Sequence, residues 1–111
     1  MPAEKTPVLE LETEKQPQVT IVHCTGKVVI ETWPKLSTTL RDLIPEGKPI
    51  RVDLSNVTVV DSVGIGVFVS VWASAKKAGC DLKFRNPSKY VQDVVELTRL
   101  YDLFEGTKAS S

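Results

Sequence analysis

Asn56-Val57-Thr58-Val59-Val60-Asp61-Ser62-Val63-Gly64-Ile65-Gly66 is the stretch that decides how this chain folds. Its first half continues the apolar segment Ile50-Arg51-Val52-Asp53-Leu54 and reads as a strand rich in β-branched residues. Its second half is a short polar-glycine turn from which a helix leaves, running to Gly79. Asp61 and Ser62 both carry oxygens able to accept from free N–H groups in a first helical turn. Gly64 and Gly66 leave room for another backbone to come close. A serine at such a helix start is well placed to be bound, read or phosphorylated.

The helix assignment needs an argument, because Val67-Phe68-Val69 and Val71-Trp72 would also suit a strand. Length, the capping residues before it, Lys76-Lys77 in its last turn and Gly79 after it favour the helix. On that helix Ile65, Phe68, Val69, Trp72 and Ala75 form the expected core stripe. Val67, Val71 and Ala78 then fall on the far side, where a surface helix is ordinarily polar. Either another element covers them or they belong to a partner surface beside Ser62.

Working outward, Val8, Leu9 and Leu11 alternate with Glu10 and Glu12, the pattern of a short strand with one wet face. Glu14 to Pro17 reads as a turn. Val19 to Thr25 is apolar on both faces, which predicts a central strand, and Gly26 allows a bend into Lys27–Ile30. Thr32 can cap a helix whose first turn tolerates Pro34, with Leu36, Leu40, Leu43 and Ile44 on one stripe, ended by Pro45-Glu46-Gly47. Asp81 to Arg85 is a further short strand. Asn86-Pro87-Ser88 starts a helix carrying Tyr90, Val91, Val94, Val95 and Thr98 along one side. Leu100, Leu103 and Phe104 supply a last apolar contact. The order predicts an α/β domain over residues 8–105, a mixed sheet with crossover helices, flanked by tails at 1–7 and 106–111.

The 111 residues suffice for one core, and 14 basic residues balance 14 acidic ones. That balance argues against nucleic-acid binding. The longest apolar run, around Val67 to Val71, is too short to span a bilayer, and the polar start Met1–Lys5 does not read as a signal peptide, so a cytoplasmic location is expected. No enzyme signature is present. A nucleophile elbow would need glycine where Val60 stands. His23 is the sole histidine, in a strand, and the glycine turn lacks the pattern of a phosphate or dinucleotide loop. Cys24 and Cys80 lack zinc-ligand spacing and read as reduced core thiols. No cofactor, metal or catalytic residue is expected.

With these residues placed, the chain resembles a STAS domain of the stand-alone anti-sigma factor antagonist type. The resemblance spans about Val8 to Phe104. It rests on Gly26, the Thr32 helix start, Val52-Asp53-Leu54-Ser55, Asp61-Ser62-Val63-Gly64-Ile65-Gly66 and Ala78-Gly79-Cys80-Asp81-Leu82. It implies the STAS fold, with helices mainly on one face of the sheet, and makes Ser62 the phosphorylation site. It also implies partner switching: the unmodified protein binds a GHKL-type anti-sigma factor kinase, phosphorylation of Ser62 separates them, and a phosphatase restores binding. Asp61, Ser62, Val63, Gly64, Val67, Val71 and Val29 make up the expected partner-binding set. Val63 stands where many members have a second Ser or Thr. Val29 stands where many have an acidic residue near the kinase contact, so it is expected to give an apolar spot at the rim of the switch surface. The alternative is a constitutive adaptor in a lipid-transport or sensory complex, in which Asp61 and Ser62 only cap the helix.

Overall fold

In the computed structural model, which describes residues 7–106, four strands form one mixed sheet in the order β1-β2-β3-β4. β1 (Leu9–Lys15) runs antiparallel to β2 (Thr20–Val28), and β2 pairs in parallel with β3 (Ile50–Val60). β3 pairs in parallel with β4 (Leu82–Arg85). Each parallel connection needs a crossover, supplied by α1 (Trp33–Leu43) and α2 (Ser62–Lys77). α3 (Lys89–Thr98) follows β4, and a short turn of helix at Tyr101–Leu103 leads Phe104 back to bridge Phe84. The tails expected at 1–7 and 106–111 lie, apart from Pro7 and Gly106, outside the described residues.

The sheet faces differ as strand alternation demands. Thr20 and Val22 on β2 pair with Ile50 and Val52 on β3, Cys24 and Leu54 follow at a shift of register, and all six are buried. β4 adds Leu82 and Phe84, and the Phe84 ring lies 4.7 Å from Phe68 of α2 and 5.7 Å from Phe104. This face carries the core. The alternate residues, among them Glu12, Glu14, His23, Arg51, Asp53, Lys83 and Arg85, lie on the other face, where His23 Nε2 meets Glu14 at 3.1 Å.

β2 is central, as its apolar faces predict. β1 runs four residues beyond Leu11, because Glu12 to Lys15 pair in register with His23 to Thr20 through their backbones although their side chains are exposed. Gly26 does not end β2 but lies within it at φ +119°, where a Cβ would sit 2.1 Å from the Val8 carbonyl oxygen. Thr32 occupies the helix-start position of α1 without capping it. Its hydroxyl instead donates to Lys27 O at 2.6 Å and accepts from Val29 N at 3.0 Å, tying the β2–α1 loop back on itself. Leu36, Leu40 and Leu43 are buried, as their spacing predicts. Ser88 caps α3 by accepting from Val91 N at 3.3 Å, while its own hydroxyl donates to Val57 O at 2.6 Å. No helix among the described residues is long and apolar enough to cross a membrane.

Candidate functional site

The end of β3 delivers Asp61 in extended backbone (φ −92°, ψ −175°) as the residue that caps α2. Its two carboxylate oxygens do separate things. Oδ1 accepts from Gly64 N at 2.8 Å and satisfies a donor of the first turn. Oδ2 accepts from Ile30 N at 3.0 Å and holds the β2–α1 loop against the helix start. Asp61 N donates to Val28 O at 3.3 Å. The cap is therefore made by Asp61 alone. Ser62 is the first helical residue, exposed, its hydroxyl not used for capping.

Gly64 carries the geometry of the corner. A Cβ there would lie 2.2 Å from Val28 O and 2.9 Å from a Val60 methyl, so only glycine lets α2 sit this close to the end of β2. Gly66 differs from expectation: nothing lies within 4 Å of its would-be Cβ, and it faces open space.

The rotation of α2 corrects the expected stripe. Its buried residues are Gly64, Val67, Phe68, Val71 and Ala75. Val67 is 8% exposed and Val71 is fully buried, whereas Ile65, Val69 and Trp72 are only half-buried. Val67 and Val71 thus belong to the core, not to an exposed partner face. The physical reason is Gly64. Counting apolar side chains passes over a glycine, yet the point of closest approach sets the inward face, and positions three, four and seven further on are Val67, Phe68 and Val71. Taking Gly64 as the centre of the face is the signal that would have found this.

Val29 is corrected in the same way. It is 7% exposed, and its carbonyl accepts from the N–H groups of Thr32 and Trp33, both at 2.9 Å. The apolar group shown to solvent at this corner is its neighbour Ile30, 58% exposed. Two more exposed large side chains gather here. Tyr90, 41% exposed, donates from its hydroxyl to Val60 O at 3.4 Å. Trp33, 38% exposed, lines a groove with the half-buried Val63 and with Gly66. Ile30, Trp33 and Tyr90 are each tied to a residue near Ser62, and the pattern reading missed all three. No periodicity marks Ile30 or Trp33, which lie at a loop and a helix start, and the periodicity of α3 counts Tyr90 only toward its apolar side.

Cys24 and Cys80 are core residues, as expected. Both are free and buried. Burial, with the Asp53 carboxylate nearby, pushes the Cys24 thiol up to about 12, and burial also raises Cys80. On the open sheet face, burial pushes the Asp53 carboxyl up. Hydrogen bonds from the Ser55 hydroxyl and N–H and from the Asn86 amide outweigh it and hold the group below the usual range. No group of three or more His, Cys, Asp or Glu able to hold a metal ion occurs among the described residues.

A small mixed sheet, crossover helices α1 and α2 on its parallel connections, α3 after the last strand and an exposed serine at the first position of α2 define a class of α/β domain. The family described as STAS domain matches residues 10–111, and this chain belongs to it. The anti-sigma-B factor antagonist of Bacillus subtilis is 32% identical over 84 residues, 76% of this chain and 77% of the relative. An anti-sigma factor antagonist from Mycobacterium paratuberculosis superposes with a TM-score of 0.77 at 20% identity, over 87% of this chain and 83% of that one. The antagonist SpoIIAA superposes in its unphosphorylated form with a TM-score of 0.70 at 16% identity, over 88% of this chain and 86% of that one. Its phosphorylated form gives a TM-score of 0.66 at 15% identity, over 88% of this chain and 89% of that one. The fold expected of this sequence is the fold observed.

Proposed function

We propose that this chain is an anti-sigma factor antagonist that works by partner switching at Ser62. Unphosphorylated, it binds a GHKL-type anti-sigma factor kinase and so frees a sigma factor. Phosphorylated on Ser62, it lets go, and a phosphatase resets it. The setting is the bacterial cytoplasm, and the chain itself catalyses nothing. One observation carries the reading: Ser62 is exposed at the head of α2, released from capping by Asp61, with Ile30, Trp33, Val63 and Tyr90 around it. Exposed apolar side chains beside a neutral hydroxyl suit close protein contact, and a phosphate brings roughly −1.5 to −2 charges there, next to the Asp61 carboxylate. The proposed partner surface is Asp61, Ser62 and Val63 with Ile30, Trp33 and Tyr90; Gly64, Val67, Val71 and Val29 are buried and drop out of it.

The test is to incubate the protein with the GHKL kinases of its own genome and ATP, map phosphate by mass spectrometry and measure binding before and after. One kinase should modify Ser62 alone, leave Ser62→Ala unmodified and lose affinity for the product. Stoichiometric phosphate on Ser62→Ala would sink the assignment. A transporter or scaffold subunit that co-purifies, with no kinase binding, would put the constitutive adaptor in its place.

A further inference from the structure

Arg41 lies in the last turn of α1 and reaches across to α2. Its Nε donates to Ser37 Oγ at 3.1 Å, its Nη1 to Ser74 Oγ at 2.8 Å and its Nη2 to Ser70 Oγ at 2.8 Å. Three hydroxyls fix the plane of the guanidinium, but none neutralises it. The ion pairs among the described residues all involve other groups. A guanidinium has five N–H donors. With three in use, one remains on each terminal nitrogen. A carboxylate can accept from one of these and supply the negative charge that the hydroxyls lack. Because the serines already hold the side chain, little rotamer freedom is left to lose when a ligand arrives.

A groove of about 200 Å³ runs from this fork between α1 and α2 to Trp33, Val63 and Val67. One end is cationic and hydroxyl-lined, and the other is apolar. Val63 sits directly after Ser62, so the groove opens beside the switch corner.

We propose that this groove seats an acidic side chain of a protein partner, its carboxylate on the Arg41 fork and a neighbouring apolar side chain against Trp33 and Val63. Charge decides for a carboxylate. One guanidinium matches one carboxylate, whereas a phosphate dianion would leave a negative charge unmatched among lining groups that are otherwise neutral. The seat stands on the geometry of Arg41, and only the identity of the partner that fills it rests on the Ser62 reading.

The probe is the capped dipeptide N-acetyl-leucyl-glutamate amide, with its glutamine counterpart as control. Each is titrated into the isotopically labelled full chain and followed by NMR at the Trp33 indole N–H, the Arg41 Nε–H and the amides of Ser70 and Ser74. The glutamate peptide should shift these signals saturably, and the glutamine peptide should bind roughly tenfold more weakly. Arg41→Gln should abolish the difference, and Arg41→Lys, which keeps the charge without the fork, should retain only part of it. Equal binding of the two peptides overturns the proposal, as does a difference that survives in Arg41→Gln. Tighter binding of inorganic phosphate at the same signals overturns it in favour of a phosphate site. If Arg41→Gln does not fold, the peptide pair on the unaltered protein still decides. Ser62→Ala should leave the titration unchanged while removing phosphorylation, so failure here and failure of the switch reading show in different measurements.

Discussion

Replacing Gly64 by alanine should displace the start of α2, and replacing Gly66 by alanine should not. The two glycines lie two residues apart in the same helical turn, so intrinsic propensity treats them alike: each gains about 1 kcal/mol from alanine. The surroundings do not. A methyl at position 64 would meet Val28 O at 2.2 Å and a Val60 methyl at 2.9 Å. Ordinary contact lies about 1 Å further from that oxygen, and the oxygen is backbone in the central strand, unable to rotate away. The helix start must therefore move by about that distance. Overpacking of this kind costs about 1–3 kcal/mol. The shift also pulls Gly64 N from the Asp61 carboxylate, loosening a cap worth about 1 kcal/mol. The net expectation for Gly64→Ala is a loss of about 1–3 kcal/mol. Gly66→Ala, with nothing within 4 Å, should gain up to about 1 kcal/mol. Urea unfolding of both variants beside the parent measures the difference. Equal midpoints for the two would refute the argument that Gly64 sets the rotation of α2.

Val71→Lys places an unmatched ammonium in a fully buried site and should cost at least about 3 kcal/mol, seen as a large fall in thermal midpoint. Phe68→Ala, which empties the contact with Phe84, should cost roughly 3–5 kcal/mol in urea unfolding. Asp53 has a lowered folded value, so its stabilisation is fully present above the ordinary aspartate value of about 3.9 and is lost as pH falls through the folded one. Urea unfolding should accordingly separate Asp53→Asn from the parent at pH 7, the gap narrowing as the pH is taken below about 4. Cys24 and Cys80 should stay silent toward a thiol reagent at pH 8 in the native protein and both react in denaturant, because burial opposes the thiolate in each.

Much of the fold was legible because the pattern and the packing ask for the same thing. The double-sided apolar run of β2 can only be central, and Leu36, Leu40 and Leu43 fall on one side of α1 at helical spacing. Ser88 announced α3, and Asp61 announced α2. Where several solutions were equally apolar, the sequence was silent. On α2 nearly every position from Val63 to Trp72 could be core, so side-chain counting left the rotation free and a glycine decided it. Val29 was misplaced for another reason. Its direction depends on the Thr32 hydroxyl and the backbone bonds of the loop, which no periodicity encodes. Arg41 resembled any solvated charge on the polar side of α1. Its partners Ser70 and Ser74 are 29 and 33 residues away, and only the packing of α1 on α2 brings them together.

The position of Ser62 also bears on how a phosphate would act. At the first residue of a helix, free N–H groups and the positive end of the helix dipole favour negative charge, by about 0.3–1 kcal/mol for an exposed group. Gly64 N is taken by Asp61, and the N–H groups of Ser62 and Val63 meet no acceptor among the described residues. A phosphate on Ser62 would thus be stabilised by its own helix. Against this stands the Asp61 carboxylate, one residue away and already engaged with Gly64 N and Ile30 N. Like charge at that distance offsets the helix term and works against the hold on Ile30, without touching Phe68, Val71 or the sheet. The modification should therefore leave the core alone and alter the corner. The thermal midpoint of the phosphorylated protein should stay within a few degrees of the parent, since the helix term is about 0.3–1 kcal/mol and the opposing repulsion about 1–2 kcal/mol in water. The amide signal of Ile30 should shift strongly, and partner affinity should fall by orders of magnitude. A midpoint lowered by ten degrees or more on phosphorylation would mean that release runs through loss of the fold, and the local account of the switch would be wrong.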